Sequence, residues 1–129
     1  MRKGVKDRDA HIMLMYFEPN STLNPDLITL REANIFTVTR QLYFSTQNTK
    51  SVDMVVLING LPMVTLELKN HLTGQTVTDA MHQYKTDRSS REPLFGFGRC
   101  LVHFAVDTEL VYMTTHLEDS KTRFLPFNK

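Results

Sequence analysis

Two apolar runs surround an Asn-Gly pair in residues 51–70, which read SVDMVVLINGLPMVTLELKN. Asn-Gly between such runs is a strong signal for a β-hairpin, because both residues accept the positive φ of a tight turn. Side chains alternate along a strand, so Glu67 and Lys69 share one face of the second run. With Asp53 in the first run, three charged side chains interrupt an otherwise apolar hairpin.

The length of the turn decides whether Asp53 meets Glu67. A two-residue loop of Asn59 and Gly60 would set the two acids on opposite faces, whereas a loop one residue longer sets them opposite each other. We favour the longer loop, because glycine suits a bulged turn and because Pro62 fits poorly in a tight ladder. The two acids and the following lysine are then expected to come together.

Residues 76–90 carry the clearest helical pattern of the chain. Thr76 followed by Asp79 predicts a capping box at the start. Apolar residues recur at spacings of three and four and predict one buried face: Val77, Ala80, Met81 and Tyr84.

The other segments are shorter. A short helical turn is predicted over residues 26–34, and residues 1–10 are highly charged, which predicts a flexible start. Segments rich in β-branched and aromatic residues predict further strands, namely 11–18, 35–44, 100–106 and 110–117. The order of elements predicts an α/β fold, a mixed sheet with a helix packed after its third core strand.

Composition excludes several classes of protein. A chain of 129 residues with a net charge of +1 fits one domain and does not by itself point to an anionic partner. The single cysteine, Cys100, excludes a disulfide framework and a four-cysteine zinc site, and its apolar surroundings predict a buried thiol. No apolar run reaches about 18 residues and no signal-peptide core is present, so we expect a cytoplasmic protein with no membrane partner.

The three charged residues of the hairpin suggest a metal site. Two close carboxylates repel each other unless a cation lies between them, and Mg²⁺ binds one or two carboxylates while it keeps several waters. Asp53 and Glu67 would be ligands, with the Leu68 backbone carbonyl as a third, and Lys69 would stabilise charge on a phosphate. Alternatively, these residues only keep an edge strand soluble.

The hairpin resembles the PD-(D/E)xK nuclease motif in "VD", residues 52–53, and "ELK", residues 67–69. Other stretches of the sequence are similar to the nuclease domain of type I restriction enzyme endonuclease (R) subunits, namely "VTRQLYF", "TGQTVTDAMHQYKTDR", "RCLVHFAVD" and "FLPFN". The resemblance covers residues 35–129, which we expect to be a single endonuclease domain with the restriction-endonuclease-like fold. Residues 1–34 would form a poorly defined N-terminal segment.

This resemblance implies a function and a site. Asp53 and Glu67 become metal ligands and Lys69 the catalytic lysine of a Mg²⁺-dependent endodeoxyribonuclease, in which Mn²⁺ could substitute. The implied partners are double-stranded DNA and the methylation and specificity subunits of a type I complex. Complete R subunits continue into ATPase motor domains, but the chain has no G-x-x-x-x-G-K-[ST] loop, so we expect no ATP binding and an excised domain or a truncated gene product.

DNA contacts are expected along the predicted helix and its exit. Gln83 is the candidate for the Gln-x-x-x-Tyr motif of the family, although Asp87 stands where the tyrosine would be. Lys85, Arg88 and Arg91, at spacings of three, could form a basic ridge for phosphates or merely a solvated helix end. The alternative function is a catalytically silent DNA-binding or subunit-assembly module with the same fold.

Overall fold

The structure is a computed structural model that describes residues 3–128. The chain divides into two compact units. The first comprises the residues up to Thr37 together with Ile58–Leu61, and the second comprises Val38–Leu57 and the residues from Pro62 onward. The predicted boundary between residues 34 and 35 stays a prediction. No helix within the described part of the chain is long and apolar enough to cross a membrane.

The first unit contains a small hairpin and a helix. Strands β1 (Val5–Asp7) and β2 (Ala10–Ile12) pair antiparallel, where the sequence predicts a flexible start. Met1 and Arg2, which also belong to that prediction, lie outside the described residues. Helix α1 (Pro25–Glu32) confirms the predicted helical turn, and it begins with a proline behind an Asn24 cap whose side chain accepts from the Asp26 amide.

The strand predicted over residues 11–18 is wrong beyond Ile12. Asparagine side chains, not a neighbouring strand, pair with the backbone there. Asn34 Oδ1 accepts from the Tyr16 amide at 3.0 Å, and Asn59 Nδ2 donates to the Leu14 carbonyl at 2.9 Å. These amide side chains satisfy backbone groups that a β-ladder would otherwise need to satisfy.

A six-stranded mixed sheet confirms the predicted α/β class. Its strands follow the order of the chain: β3 (Phe36–Tyr43), β4 (Ser51–Ile58), β5 (Leu61–Leu68), β6 (Val102–Val106), β7 (Val111–Thr114) and β8 (Leu125–Pro126). β5 and β6 are parallel, while β6 pairs antiparallel with β7 and β7 with β8. Helix α2 (Val77–Thr86) lies in the long connection that a parallel pair requires.

The turn between β4 and β5 contradicts the predicted three-residue loop. β4 ends at Ile58 and β5 begins at Leu61, so only Asn59 and Gly60 connect them, with φ values of +52° and +79°. Two consecutive positive φ angles define the tight hairpin turn that Asn-Gly favours. Asn59 also accepts from the Ile35 amide at 2.7 Å through its side chain, which holds the short turn in place.

Helix α2 confirms the predicted capping and the predicted buried face. Asp79 Oδ2 accepts from the Thr76 amide at 2.7 Å, and Asp107 Oδ2 accepts from the Val77 amide at 2.8 Å. These carboxylates satisfy amides at a helix start that would otherwise lack partners. The helix buries one side of its surface, with Val77, Ala80 and Tyr84.

A buried polar chain links α2 to the sheet. Thr65 Oγ1 lies 2.7 Å from the Tyr84 hydroxyl and 2.7 Å from His103 Nδ1. Tyr84 and His103 are therefore core residues, and burial lowers the pKa of His103 to about 4, so its ring is neutral at pH 7. Cys100 is buried as predicted, and burial raises the pKa of its thiol to about 11.

Thr65→Val should destabilise the fold more than Tyr84→Phe. Valine removes the partner of both the Tyr84 hydroxyl and His103, at a cost of about 3 kcal/mol, whereas phenylalanine leaves the Thr65–His103 bond intact and costs about 1 kcal/mol. Urea unfolding of both variants measures the difference through the midpoint at constant m-value. Equal losses would contradict this account of the core.

Candidate active site

Asp53 lies on β4 and is held by two hydrogen bonds. Its Oδ1 accepts from Gln41 Nε2 at 3.1 Å, and its Oδ2 accepts from the Leu68 amide at 2.8 Å. The second bond ties the carboxylate of β4 to the residue that follows Glu67 on β5. The bond to Leu68 therefore brings the two acids together, even though the predicted loop that was expected to align them is wrong.

The side chain of Glu67 is completely buried on β5. Its Oε1 accepts from Arg88 Nε at 2.6 Å, while its Oε2 has no hydrogen-bond partner among the described residues. Burial raises the pKa of Glu67 to about 7, and the neighbouring Asp53 charge acts in the same direction against the opposing influence of Arg88. A further cation beside Glu67 would strongly stabilise the ionised form of this carboxylate.

The structure places Arg88 in the interior, with 2% of its surface exposed. It follows the C-terminal cap of α2 at Asp87, and its Nη2 donates to the Ser51 carbonyl at 2.7 Å. Its guanidinium also lies 5.2 Å from the centroid of the Phe44 ring. One arginine therefore binds the carboxylate on β5 and the backbone of β4.

The predicted basic ridge is not continuous in this structure. Lys85 is half-buried and Arg91 is exposed, but Arg88 between them is buried in an ion pair with Glu67. The physical reason is that a carboxylate buried in an apolar strand needs a cation far more than a solvated helix end does. DNA contacts by Lys85, Arg91 and Gln83 stay a prediction, whereas a buried Arg88 is not placed to make one.

Lys69 is half-buried and lines an open groove of about 340 Å³ together with Asp79 and His82. Asp53 lines a second groove of about 340 Å³. Both grooves are bordered by Gln83 and Asp87. The structure therefore places Asp53 close enough to Glu67 to raise its pKa, and it places Lys69 in a neighbouring groove.

The side chains that border both grooves differ in their bonding. Gln83 Oε1 is buried and has no hydrogen-bond partner among the described residues. Asp87 accepts from Lys50 Nζ at 2.7 Å, and this bond lowers the pKa of Asp87. Asp87 is thus paired with a lysine, while the amide oxygen of Gln83 is buried without a hydrogen-bond partner among the described residues.

The donor set fits a single Mg²⁺. Residues 3–128 contain no cluster of three histidine, cysteine or acidic side chains, so a closed site of zinc type is absent from this part of the chain. Asp53 and Glu67 supply two carboxylates, and Glu67 Oε2 is an unused acceptor beside Asp53. Mg²⁺ requires few protein ligands because it keeps several waters. The role of the Leu68 carbonyl stays a prediction.

The ion pair changes the expected effect of removing Glu67. Because two close carboxylates repel each other, repulsion alone would predict that loss of either acid leaves the fold largely intact. In the structure, Glu67→Ala would leave Arg88 buried without its carboxylate, which typically costs about 3–5 kcal/mol. Glu67→Gln is the better variant, because it removes the charge and keeps an oxygen for Arg88.

Sequence reasoning missed two contributors to the site. Gln41, on β3, binds Asp53, and its Oε1 also accepts from the Ser51 hydroxyl at 2.8 Å. Arg88 was assigned to a DNA-binding ridge and not to Glu67. A glutamate predicted to lie in an apolar strand signals that some cation must accompany it, but no local pattern identifies which one.

Two comparisons with known proteins give matches to this chain. The family model described as "Type I restriction enzyme R protein N terminus" matches residues 19–122, a range that contains Asp53, Glu67, Lys69 and Arg88. A protein of Methanocaldococcus jannaschii, provisionally named as the type I restriction enzyme MjaIXP endonuclease subunit, is 33% identical over 70 residues. That alignment covers 54% of this chain and 6% of the relative.

No solved structure matches the chain. The family match begins at residue 19, which is 16 residues before the start of the resemblance seen in the sequence motifs. It extends over most of the chain and includes α1, α2 and strands β3 to β7 of the mixed sheet. The chain belongs to the family of type I restriction enzyme R protein N-terminal domains.

Proposed function

We propose that this domain is a Mg²⁺-dependent endonuclease that hydrolyses phosphodiester bonds of double-stranded DNA. The observation that carries the proposal is the Asp53–Glu67 pair, in which a buried carboxylate oxygen lacks a partner beside a second acid. Membership of a restriction-enzyme family supports nuclease chemistry at this pair. The intact lysine two residues after Glu67 supports it further.

Each side chain would have a distinct part in hydrolysis. Asp53 and Glu67 would hold the ion, and a bound Mg²⁺ would supply a Lewis acid for the phosphate. Lys69 would orient the attacking water and stabilise the negative charge that builds as the water oxygen bonds to phosphorus and the ester bond breaks. Gln83, which borders both grooves, would contact the DNA beside this centre.

The wider assembly is part of the same proposal. The relative from M. jannaschii is named as an endonuclease subunit, and the chain spans only 6% of its length. We propose that the domain works in a type I complex with methylation and specificity subunits, which would select the DNA. Lys85 and Arg91 are the side chains proposed to contact DNA phosphates.

One observation favours the second candidate function, a silent DNA-binding or assembly module. Arg88 already neutralises Glu67 at 2.6 Å, so the acid pair has an internal cation without any metal. The edge-strand alternative loses support for Glu67, because a side chain with no exposed surface cannot serve solubility. Metal binding separates the two remaining functions.

We expect wild-type protein to bind one Mn²⁺ in a calorimetric titration and to nick plasmid DNA with Mn²⁺ or Mg²⁺. Glu67→Gln should abolish both, because it removes a ligand charge while it keeps the contact with Arg88. Lys69→Gln should abolish nicking and leave Mn²⁺ affinity within about threefold, since ordinary charge effects at partly exposed sites are small.

The matched control is Glu118→Gln, because Glu118 is an exposed acid outside the site. It should behave as wild type in both assays. Mn²⁺ binding without nicking in wild type would favour the silent module, and equal binding by wild type and Glu67→Gln would refute the metal site.

Metal affinity should rise with pH and level off above about 7. The pKa of Glu67 is raised to about 7, and only its ionised form binds metal, so affinity should fall about tenfold for each pH unit below that value. The same shift makes the folded chain bind more protons than the unfolded chain between pH 4.5 and about 7. The stability contributed by this group is therefore lost as pH rises through that interval.

Calorimetric titrations of Mn²⁺ at pH 6, 7 and 8, in two buffers of different ionisation enthalpy, measure both the affinity and the protons released. Proton release should be close to one per ion at pH 6 and small at pH 8. A flat affinity across this range would contradict binding through a buried Glu67.

A further inference from the structure

We propose that Arg88 is a positioning residue for the metal site. Its guanidinium holds one carboxylate oxygen of Glu67, so that the other oxygen faces Asp53. The inference rests on the proposed function, because it concerns how the acid pair is prepared for a divalent ion. Arg88 itself would touch neither metal nor DNA.

The contacts of Arg88 allow it little freedom. Nε donates to Glu67 Oε1 at 2.6 Å and Nη2 donates to the Ser51 carbonyl at 2.7 Å, so the planar guanidinium is fixed at two points. Phe44 lies 5.2 Å away and shields it from solvent. A fork with this geometry locks the rotation of the Glu67 carboxylate, because Oε1 cannot move without breaking a buried ionic hydrogen bond.

This arrangement leaves a defined oxygen for the ligand. Glu67 Oε2 is buried without a partner, and Asp53 is turned toward the same strand by its bond to the Leu68 amide. Because Ser51 lies two residues before Asp53 on β4, the Arg88 fork also ties the two acid-bearing strands together at the site. The orientation of both ligands is thus set before an ion arrives.

A simple charge effect would act in the opposite direction. A cation beside two acids repels a divalent ion, so if Arg88 mattered only through its charge, its removal would strengthen metal binding. The positioning role instead predicts weaker binding when the fork is lost, even if the charge is kept. Lysine and methionine at this position distinguish the two effects.

The test measures Mn²⁺ affinity by calorimetry in wild type, Arg88→Lys and Arg88→Met, with Arg123→Lys as a matched control at an exposed arginine. Circular dichroism verifies that each protein is folded. We expect Arg88→Lys to weaken Mn²⁺ binding 10- to 100-fold, as is typical when a residue that orients a metal ligand is replaced. Arg123→Lys should bind as wild type.

Arg88→Met should also bind more weakly than wild type. Should it fail to fold, because Glu67 then lacks its partner, Arg88→Lys alone decides the question. Tyr84→Phe weakens the core but leaves the Glu67–Arg88 ion pair in place, so it should bind Mn²⁺ as wild type. A loss of affinity confined to the Arg88 variants would therefore not follow from general damage to the fold.

Three outcomes would overturn the proposal. Unchanged affinity in Arg88→Lys with normal binding by wild type refutes the positioning role and leaves the proposed nuclease site standing. Stronger Mn²⁺ binding by Arg88→Met would show that the positive charge of Arg88 weakens metal binding, against a positioning role. Absence of Mn²⁺ binding by wild type refutes the proposed function and this inference together.

Discussion

The buried ion pair of Glu67 and Arg88 is the interaction on which the site depends. An acid with no exposed surface on a central strand is stable only beside a cation, and the arginine after α2 supplies it at 2.6 Å. The same guanidinium binds the Ser51 carbonyl and so connects helix exit, β4 and β5. Asp53 is brought to Glu67 by this frame and by its own bond to the Leu68 amide.

The fold positions the pair through ordinary constraints. β5 and β6 are parallel, so the chain must cross over between them, and α2 lies in that crossover with Tyr84 buried beneath it. Thr65 connects Tyr84 to His103 two positions before Glu67 on β5. The end of α2 consequently meets the end of β5, which is where Arg88 reaches Glu67.

Much of this architecture could be predicted from local sequence. The hairpin at Asn59-Gly60, the capped helix and the mixed α/β class follow from periodicity and turn chemistry, and each is present. The predicted loop is one residue too long, because Asn-Gly strongly prefers a two-residue turn and Pro62 lies within β5 without lengthening that turn. Strict alternation also fails along β4, where the buried residues Val52 and Val55 are three positions apart.

The long-range side-chain contacts of the site could not be predicted from local sequence patterns. Nothing in the spacing of Lys85, Arg88 and Arg91 distinguishes the one arginine that turns inward, since that choice depends on a carboxylate 21 residues away. Gln41 and the asparagines that replace a strand partner for residues 14–16 are likewise long-range contacts. The proximity of Asp53 and Glu67 was expected from the hairpin, although by a register that the turn does not adopt, and their role as metal ligands stays a prediction.

The most direct test of the account is to locate a bound ion by carbon-13 NMR of the carboxyl and carbonyl groups during titration with substoichiometric Mn²⁺. The paramagnetic ion should first broaden the side-chain signals of Asp53 and Glu67, ahead of Asp79 and Asp87 in the adjoining grooves. Broadening that begins at Asp79 or Asp87, or that spreads evenly over exposed acids such as Glu118, would contradict a metal site at the buried pair.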